Sequence, residues 1–294
     1  MSMDLPVVVG VDGSEPALRA LDWACDEAAL RGAPLRIVNA CLWERYEGAA
    51  LAHDLGEPSS RVLPQDVVQS AVRRAGARHP DLKVTSEVVF EEPEYALVRE
   101  SREASLLVTG TRGRGGVSEA LLGSVSLAVA GHAHCPVVVV RGSHDNQARS
   151  GRHGRVVVGV GGGSEGHGRS ALDFALAEAA RRGVQLEAIR AWRCPAHEST
   201  DHPLLAGEPA RLHEQQAVDV LEAALRDAPA DADLRRRTVE GPAGTVLAGA
   251  SHHADLLVIG ARRHARHFGL QLGRVAHRVL HHSDCPVAIV PEQE

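Results

Sequence analysis

The sequence predicts an α/β protein made of two copies of one parallel-sheet domain, and three observations carry that prediction. The 294-residue chain aligns with itself at an offset close to 150 residues. Within each copy, short apolar runs alternate with segments of helical periodicity. Several of those runs are apolar at consecutive positions, which is the pattern of parallel strands covered on both faces.

The repeat is read residue by residue. Leu106-Leu107-Val108 meets Leu256-Leu257-Val258, Leu122-Gly123 meets Leu272-Gly273, and Cys135-Pro136-Val137 meets Cys285-Pro286-Val287. The offset is 149 at Val7-Val8-Val9-Gly10-Val11, which meets Val156-Val157-Val158-Gly159-Val160. It is 151 at Ala20-Leu21-Asp22, which meets Ala171-Leu172-Asp173, so the second copy has gained two residues in the loop between them. Residues 1–142 and 155–294 are the expected domains. Residues 143–154, polar and rich in Gly, Ser, Arg and His, are the expected linker.

In the first copy, Val7 to Val11 is a β-branched strand, followed by a helix with Ala17, Leu21, Ala24 and Ala28 at helical spacing. Leu35 to Ala40 is the second strand and Val62 to His79 the next helix. Val84 to Phe90 alternates as a strand does, and Pro93 opens a helix to about Arg102. Leu106 to Thr109 is a buried strand. Leu122, Val125, Val129 and His132 mark the last helix, and Pro136 to Val140 the last strand, giving five strands per copy.

Composition narrows the function. A formal charge of −6 argues against nucleic acid as a partner. No apolar run is long enough to cross a bilayer, and the first residues lack the pattern of a signal peptide, so a cytoplasmic protein is expected. Lys83 is the only lysine, which excludes a P-loop lysine. The five cysteines form no C-x-x-C pair and are expected to be small buried thiols.

The segment Gly110-Thr111-Arg112-Gly113-Arg114-Gly115-Gly116, running on to Gly123-Ser124, carries the chemistry. It leaves the carboxyl end of the fourth strand and enters the last helix, where open α/β sheets bind ligands. Glycines let backbone N–H groups approach an anion, and the helix start adds its own free N–H groups and dipole. The Ser124 hydroxyl and the Arg112 and Arg114 charges complete an anion site.

The spacing Gly110-x2-Gly113-x9-Gly123-Ser124 matches the ATP signature of the universal stress protein family. The chain resembles that family over nearly its whole length, once per half. Val7 to Ser14 is similar to the family's opening strand and loop, Ala20-Leu21-Asp22-Trp23-Ala24 to its first helix, and Cys135 to Val140 to its closing strand. The resemblance implies a Rossmann-like fold of the adenine nucleotide alpha hydrolase type. It also implies that the two halves pack as a pseudo-twofold pair through Val137 to Val140 and Val287 to Val290. For the ligand, it implies ATP, with or without Mg. Asp12 would lie at the adenosine end, and the backbone near Ala40 would hold adenine. Gly110, Gly113, Gly123 and Ser124 would hold ribose and phosphates. The expected site is thus Gly10, Val11, Asp12, Ala40, Gly110, Arg112, Gly113, Gly123, Ser124 and Val125. One departure is Glu91-Glu92-Pro93, where the family usually has glycine two residues before proline.

The second copy lacks the motif. Gly113 is matched by Arg263, Ser124 by Arg274 and Asp12 by Gly161. A degenerate domain kept for packing is the expectation, with a different anion on Arg263 and Arg274 as the alternative. Among the 17 histidines, His277 and His281 stand four apart on a helix, but no carboxylate or cysteine follows at ligand spacing, so no metal site is expected. His132 and His282 close the same helix in both copies, a place suited to the helix dipole. The irregular segments from Trp43 to Pro64 and from Arg193 to Ala210 are placed to cover an adenine pocket.

No nucleophile elbow, H-E-x-x-H motif or paired carboxylates lie by the glycine loop. The expected function is therefore an ATP-binding stress-response regulator, with nucleotide held in the first copy and without efficient turnover. A slow ATPase or ATP-dependent enzyme, or a ligand-free scaffold, is the alternative. A homodimer of whole chains and an unidentified regulatory protein partner stay open.

Overall fold

The computed structural model describes residues 5–42, 63–111, 122–141, 153–162, 168–194, 208–261 and 272–292. The chain divides into two compact units, the first formed around the residues up to Arg141 and the second around those from Gly142 onward.

The first unit runs β1 (Val7–Gly10), α1 (Glu15–Arg31), β2 (Leu35–Ala40), α2 (Pro64–Arg78) and β3 (Val84–Val89). It continues with α3 (Pro93–Glu100), a 3-10 turn at Ser101–Glu103, β4 (Leu106–Gly110), α4 (Ser124–His132) and β5 (Val137–Val140). The strands lie in the order β3-β2-β1-β4-β5. Each neighbouring pair is parallel, with Val8 beside Arg36 on one side and Leu107 on the other. Helices α1 and α2 pack together against one face, and α3 and α4 against the other. That double cover explains the apolar runs. Val7, Val8, Val9, Leu106, Leu107 and Val108 are all fully buried, each stabilising the fold by about 1.5–3 kcal/mol.

The second unit has the same topology. It runs β6 (Arg155–Gly159), α5 (Arg169–Arg182), β7 (Gln185–Trp192), α6 (Glu208–Ala224) and β8 (Leu234–Glu240). Then come α7 (Ala243–Ser251), β9 (Leu256–Ala261), α8 (Arg274–His282) and β10 (Val287–Pro291). Its parallel order is β8-β7-β6-β9-β10. The first helix of each unit ends on a left-handed glycine, Gly32 at φ 63° and Gly183 at φ 61°, whose N–H returns to the last turn.

Element boundaries differ from the sequence reading by a residue or two. Val11 lies beyond β1, although its N–H still donates to the Val38 carbonyl. Pro136 has no N–H to donate and precedes β5, but its carbonyl accepts from Leu107. Most of the expected linker lies outside the described residues. At its end, Asp255 accepts from the backbone N–H groups of His153 and Arg155 and so pins the entry to β6.

Three of the five cysteines, Cys25, Cys135 and Cys285, are buried; Cys41 and Cys194 are only half-buried, because they follow the ends of β2 and β7. Burial, with Asp22 and Asp26 nearby, pushes the Cys25 thiol up to about 12, so it stays protonated. No described helix is long and apolar enough to cross a membrane.

Helices α1 and α2 are tied by two forked ion pairs. Arg74 holds Asp22 at 2.7 Å through both oxygens, and Arg78 holds Asp26 at 2.6 and 2.5 Å, with His79 at 2.8 Å. Burial raises the Asp26 carboxyl, but hydrogen bonds from Arg78 and His79 outweigh it and hold the group below its ordinary 3.8. A depressed carboxylate stabilises the fold above its unfolded value and stops doing so as pH falls through the folded one. Asp26→Asn is therefore expected to melt below the wild type at pH 7 and to converge with it below about pH 4. A gap between the melting curves that stays constant down to pH 3 would exclude this ionisation as the cause.

Candidate functional site

The carboxyl end of the first sheet gathers most of the expected residues. Asp12 follows directly on β1 and is oriented by the start of α1. Its carboxylate accepts from the Ser14 N–H at 3.0 Å and from the Ser14 hydroxyl at 2.6 Å. The same hydroxyl accepts from the Ala17 N–H at 3.4 Å and caps the helix. Beside it, Asn39 on β2 is buried, and its amide donates to the Val11 carbonyl at 2.7 Å. Ala40 ends β2 half-buried, and the next N–H, of Cys41, donates to Val89. Gly10 owes its lack of a side chain to packing, since a Cβ there would stand 2.9 Å from Leu97 of α3.

On the other side of β1, β4 ends at Gly110. A Cβ on Gly110 would lie 2.5 Å from the Pro16 carbonyl oxygen, so only glycine lets β4 come this close to the start of α1. The Gly110 carbonyl accepts from the Ser126 hydroxyl at 2.6 Å. Thr111 accepts from the Gly123 N–H at 2.7 Å, which brings the two ends of the glycine-rich loop together. Arg112, Gly113 and Arg114 lie between those ends, outside the described residues. Helix α4 then begins at Ser124 with Gly123 as its cap residue and no side chain capping it. Its first N–H groups, at Ser124, Val125 and Ser126, have no carbonyl one turn earlier in the helix to receive them.

Asp12, Ala40, Gly110, Gly123, Ser124 and Val125 are thus all set at the carboxyl edge, around the point where the chain leaves β1 for β2 on one side and β4 lies on the other. Sequence reasoning missed Ser14, Asn39 and Ser126 as supports. The Ser14-Glu15-Pro16 cap signal pointed to the first of them. The other two become visible only once strand and helix are packed. Asn39 Oδ1 and Thr109 Oγ1 are buried at this edge with no hydrogen-bond partner among the described residues.

The second unit differs in kind at the same edge. Gly161 and Gly162 are exposed, Arg190 stands in the place of Asn39, and Ala276 stands in that of Ser126. A Cβ on Gly260 would meet the flexible Glu292 carboxyl rather than backbone. Arg274 is the first residue of α8 and is exposed, and Arg263 lies outside the described residues. The rings of His277 and His281 lie 4.4 Å apart, but no group of three metal-ligating side chains occurs among the described residues. The His132 ring, in the last turn of α4, bonds the Ala128 carbonyl at 2.8 Å.

The model of the universal stress protein family matches residues 5–141 and again 153–291. The chain belongs to the universal stress protein family. A universal stress protein of Mycobacterium tuberculosis is 32% identical over 288 residues, covering 96% of each chain. The crystal structure of a universal stress protein from Archaeoglobus fulgidus covers 98% of both chains with a TM-score of 0.63 at 18% identity, a likeness of fold. A second Archaeoglobus fulgidus universal stress protein, solved in complex with dAMP, covers 47% of this chain and 99% of its own, at 25% identity and a TM-score of 0.35.

Proposed function

We propose that this universal stress protein binds ATP in its first unit and acts as a nucleotide-responsive regulator rather than a turnover enzyme. The observation that carries this is the start of α4. It has no side-chain cap, is entered through Gly123, and shares the carboxyl edge with an oriented Asp12.

Each residue then has a chemical task. The N–H groups of Ser124 and Val125 and the Ser124 hydroxyl donate to phosphate oxygens, with the helix dipole adding to the attraction. Asp12 accepts from the ribose hydroxyls or the adenine amine, and its place after β1 keeps its charge away from the phosphates. The end of β2 at Ala40 offers backbone to the base. Gly113 and Arg112, by the family motif, complete the phosphate loop.

The second unit is proposed not to take ATP in this pose. It lacks the Ser124 hydroxyl, the Asp12 carboxylate and Gly113. Each lost hydrogen bond to a charged group costs about 1.5–3 kcal/mol, or roughly tenfold to a hundredfold in affinity. Equilibrium dialysis of the full chain is expected to saturate at one ATP per chain, with ATP recovered uncleaved. Two equivalent sites would overturn the assignment to the first unit. ADP accumulating over many turnovers would instead make the protein an ATP-hydrolysing enzyme.

A further inference from the structure

Arg190 is a cation at the carboxyl edge of the second unit with no acid paired to it among the described residues. It takes on β7 the position that Asn39 takes on β2, as the matching backbone bonds Val11 to Val38 and Val160 to Ile189 show. It makes the same kind of contact, Nη1 donating to the Val160 carbonyl at 3.2 Å where Asn39 donates to Val11. The amide of Asn39 ends there. The longer guanidinium reaches on, until Nη2 stands 2.5 Å from where a Cβ on Gly162 would be. Glycine at 162 is what makes room for it.

Three further facts concern its charge. The buried Nε has no hydrogen-bond partner among the described residues. The acid that would stand nearest, by analogy with Asp12, is Gly161 in this unit. Burial depresses the Arg190 guanidinium, and no carboxylate among the described residues offsets it. Other half-buried arginines do have acids beside them: Arg78 pairs with Asp26, Arg31 with Glu27, and Arg155 with Glu187. A partly desolvated cation that lacks a counter-charge is costly to hold, and an anion from outside removes that cost.

We propose that the second unit binds a phosphoryl oxyanion, held by the Arg190 guanidinium beside the exposed backbone of Gly161 and Gly162. The site lies past the ends of β6 and β7, not at the start of α8, so it is distinct from the phosphate end of the nucleotide site described for the first unit. It stands whether or not the first unit binds ATP. Free phosphate and a phosphomonoester share this chemistry.

The test uses the full chain labelled with 15N, titrated with inorganic phosphate and separately with glycerol phosphate at constant ionic strength. The expected result is a saturable shift of the Arg190 Nε–H signal and of the Gly161 and Gly162 amides. The Arg190 signal is assigned by its loss in Arg190→Asn, which restores the residue of the first unit. In that variant the glycine shifts should need at least about tenfold more phosphate. Arg190→Lys, which keeps the charge but not the fork, should also weaken binding and serves if the asparagine variant does not fold. Equal affinity for the two probes assigns recognition to the phosphoryl group alone, and tighter binding of glycerol phosphate assigns it to an esterified metabolite. Equal shifts with chloride, undiminished glycine shifts in Arg190→Asn, or no saturation with either probe would overturn the proposal. Because the signals belong to the second unit, failure of ATP binding in the first is read separately.

Discussion

Replacing Gly110 with alanine is expected to destabilise the first unit by about 3 kcal/mol, while the same change at Gly260 costs the second unit less than about 1 kcal/mol. The two glycines end equivalent strands, and they differ in what a side chain would meet. At Gly110 the new Cβ would stand 2.5 Å from the Pro16 oxygen, 2.6 Å from the Pro16 carbonyl carbon and 3.0 Å from the Ala17 nitrogen. All three are backbone atoms in the first turn of α1, so the helix itself would have to shift. That shift would also disturb the Ser14 cap and, through it, Asp12. At Gly260 the neighbour is the end of the Glu292 side chain, which rotates away at small cost. Amide exchange under increasing urea, read separately for β4 and β9, measures each unit without assuming that the chain unfolds in one step. Equal losses in the two variants would show that close approach to α1 is not what requires glycine at position 110.

Gly123→Val is expected to lower ATP affinity by tenfold to a hundredfold or more and to cost stability only about 1 kcal/mol. Gly123 has φ −70° and ψ 153°, an extended conformation that valine adopts readily. The backbone is therefore unstrained, and the expected cost to the fold is about 1 kcal/mol, that of valine at a helix N-cap. The branched side chain would stand at the mouth of the uncapped α4 N-terminus, where phosphate oxygens need to approach within hydrogen-bonding distance. Asp12→Asn makes the complementary cut at the adenosine end. An asparagine oxygen can still accept from Ser14 and keep the loop in place, while the charge that attracts the ribose or amine donors is gone. Calorimetry with ATP, alongside melting curves, separates binding from folding. Unchanged affinity in Gly123→Val would remove α4 from the phosphate site.

The candidate site was legible in the sequence where chemistry depends on residue type at fixed spacing. Gly110, Gly123 and Ser124 fall at the joint between a strand and a helix because the apolar run before them and the periodic run after them leave no other place for the loop. Asp12 was legible for the same reason, as the first polar residue after a buried valine run. Asn39 and Arg190 were not. Each lies within a strand pattern, at a position where one residue in a sequence says nothing about whether its side chain covers its own strand end or reaches toward the neighbouring loop.

The amino-acid sequence by itself determined the duplication, the alternation of strands and helices, and the loss of the glycine motif from the second copy. Those are properties of periodicity and residue identity, which local geometry enforces along the chain. Only the tertiary structure decided why equivalent positions have different surroundings. Gly110 presses on backbone and Gly260 on the end of a side chain, and Asn39 stops at a carbonyl where Arg190 runs on to Gly162. The physical reason is that close packing and desolvation arise between segments far apart in sequence. What a side chain is worth depends on atoms that meet it only after the sheet has formed.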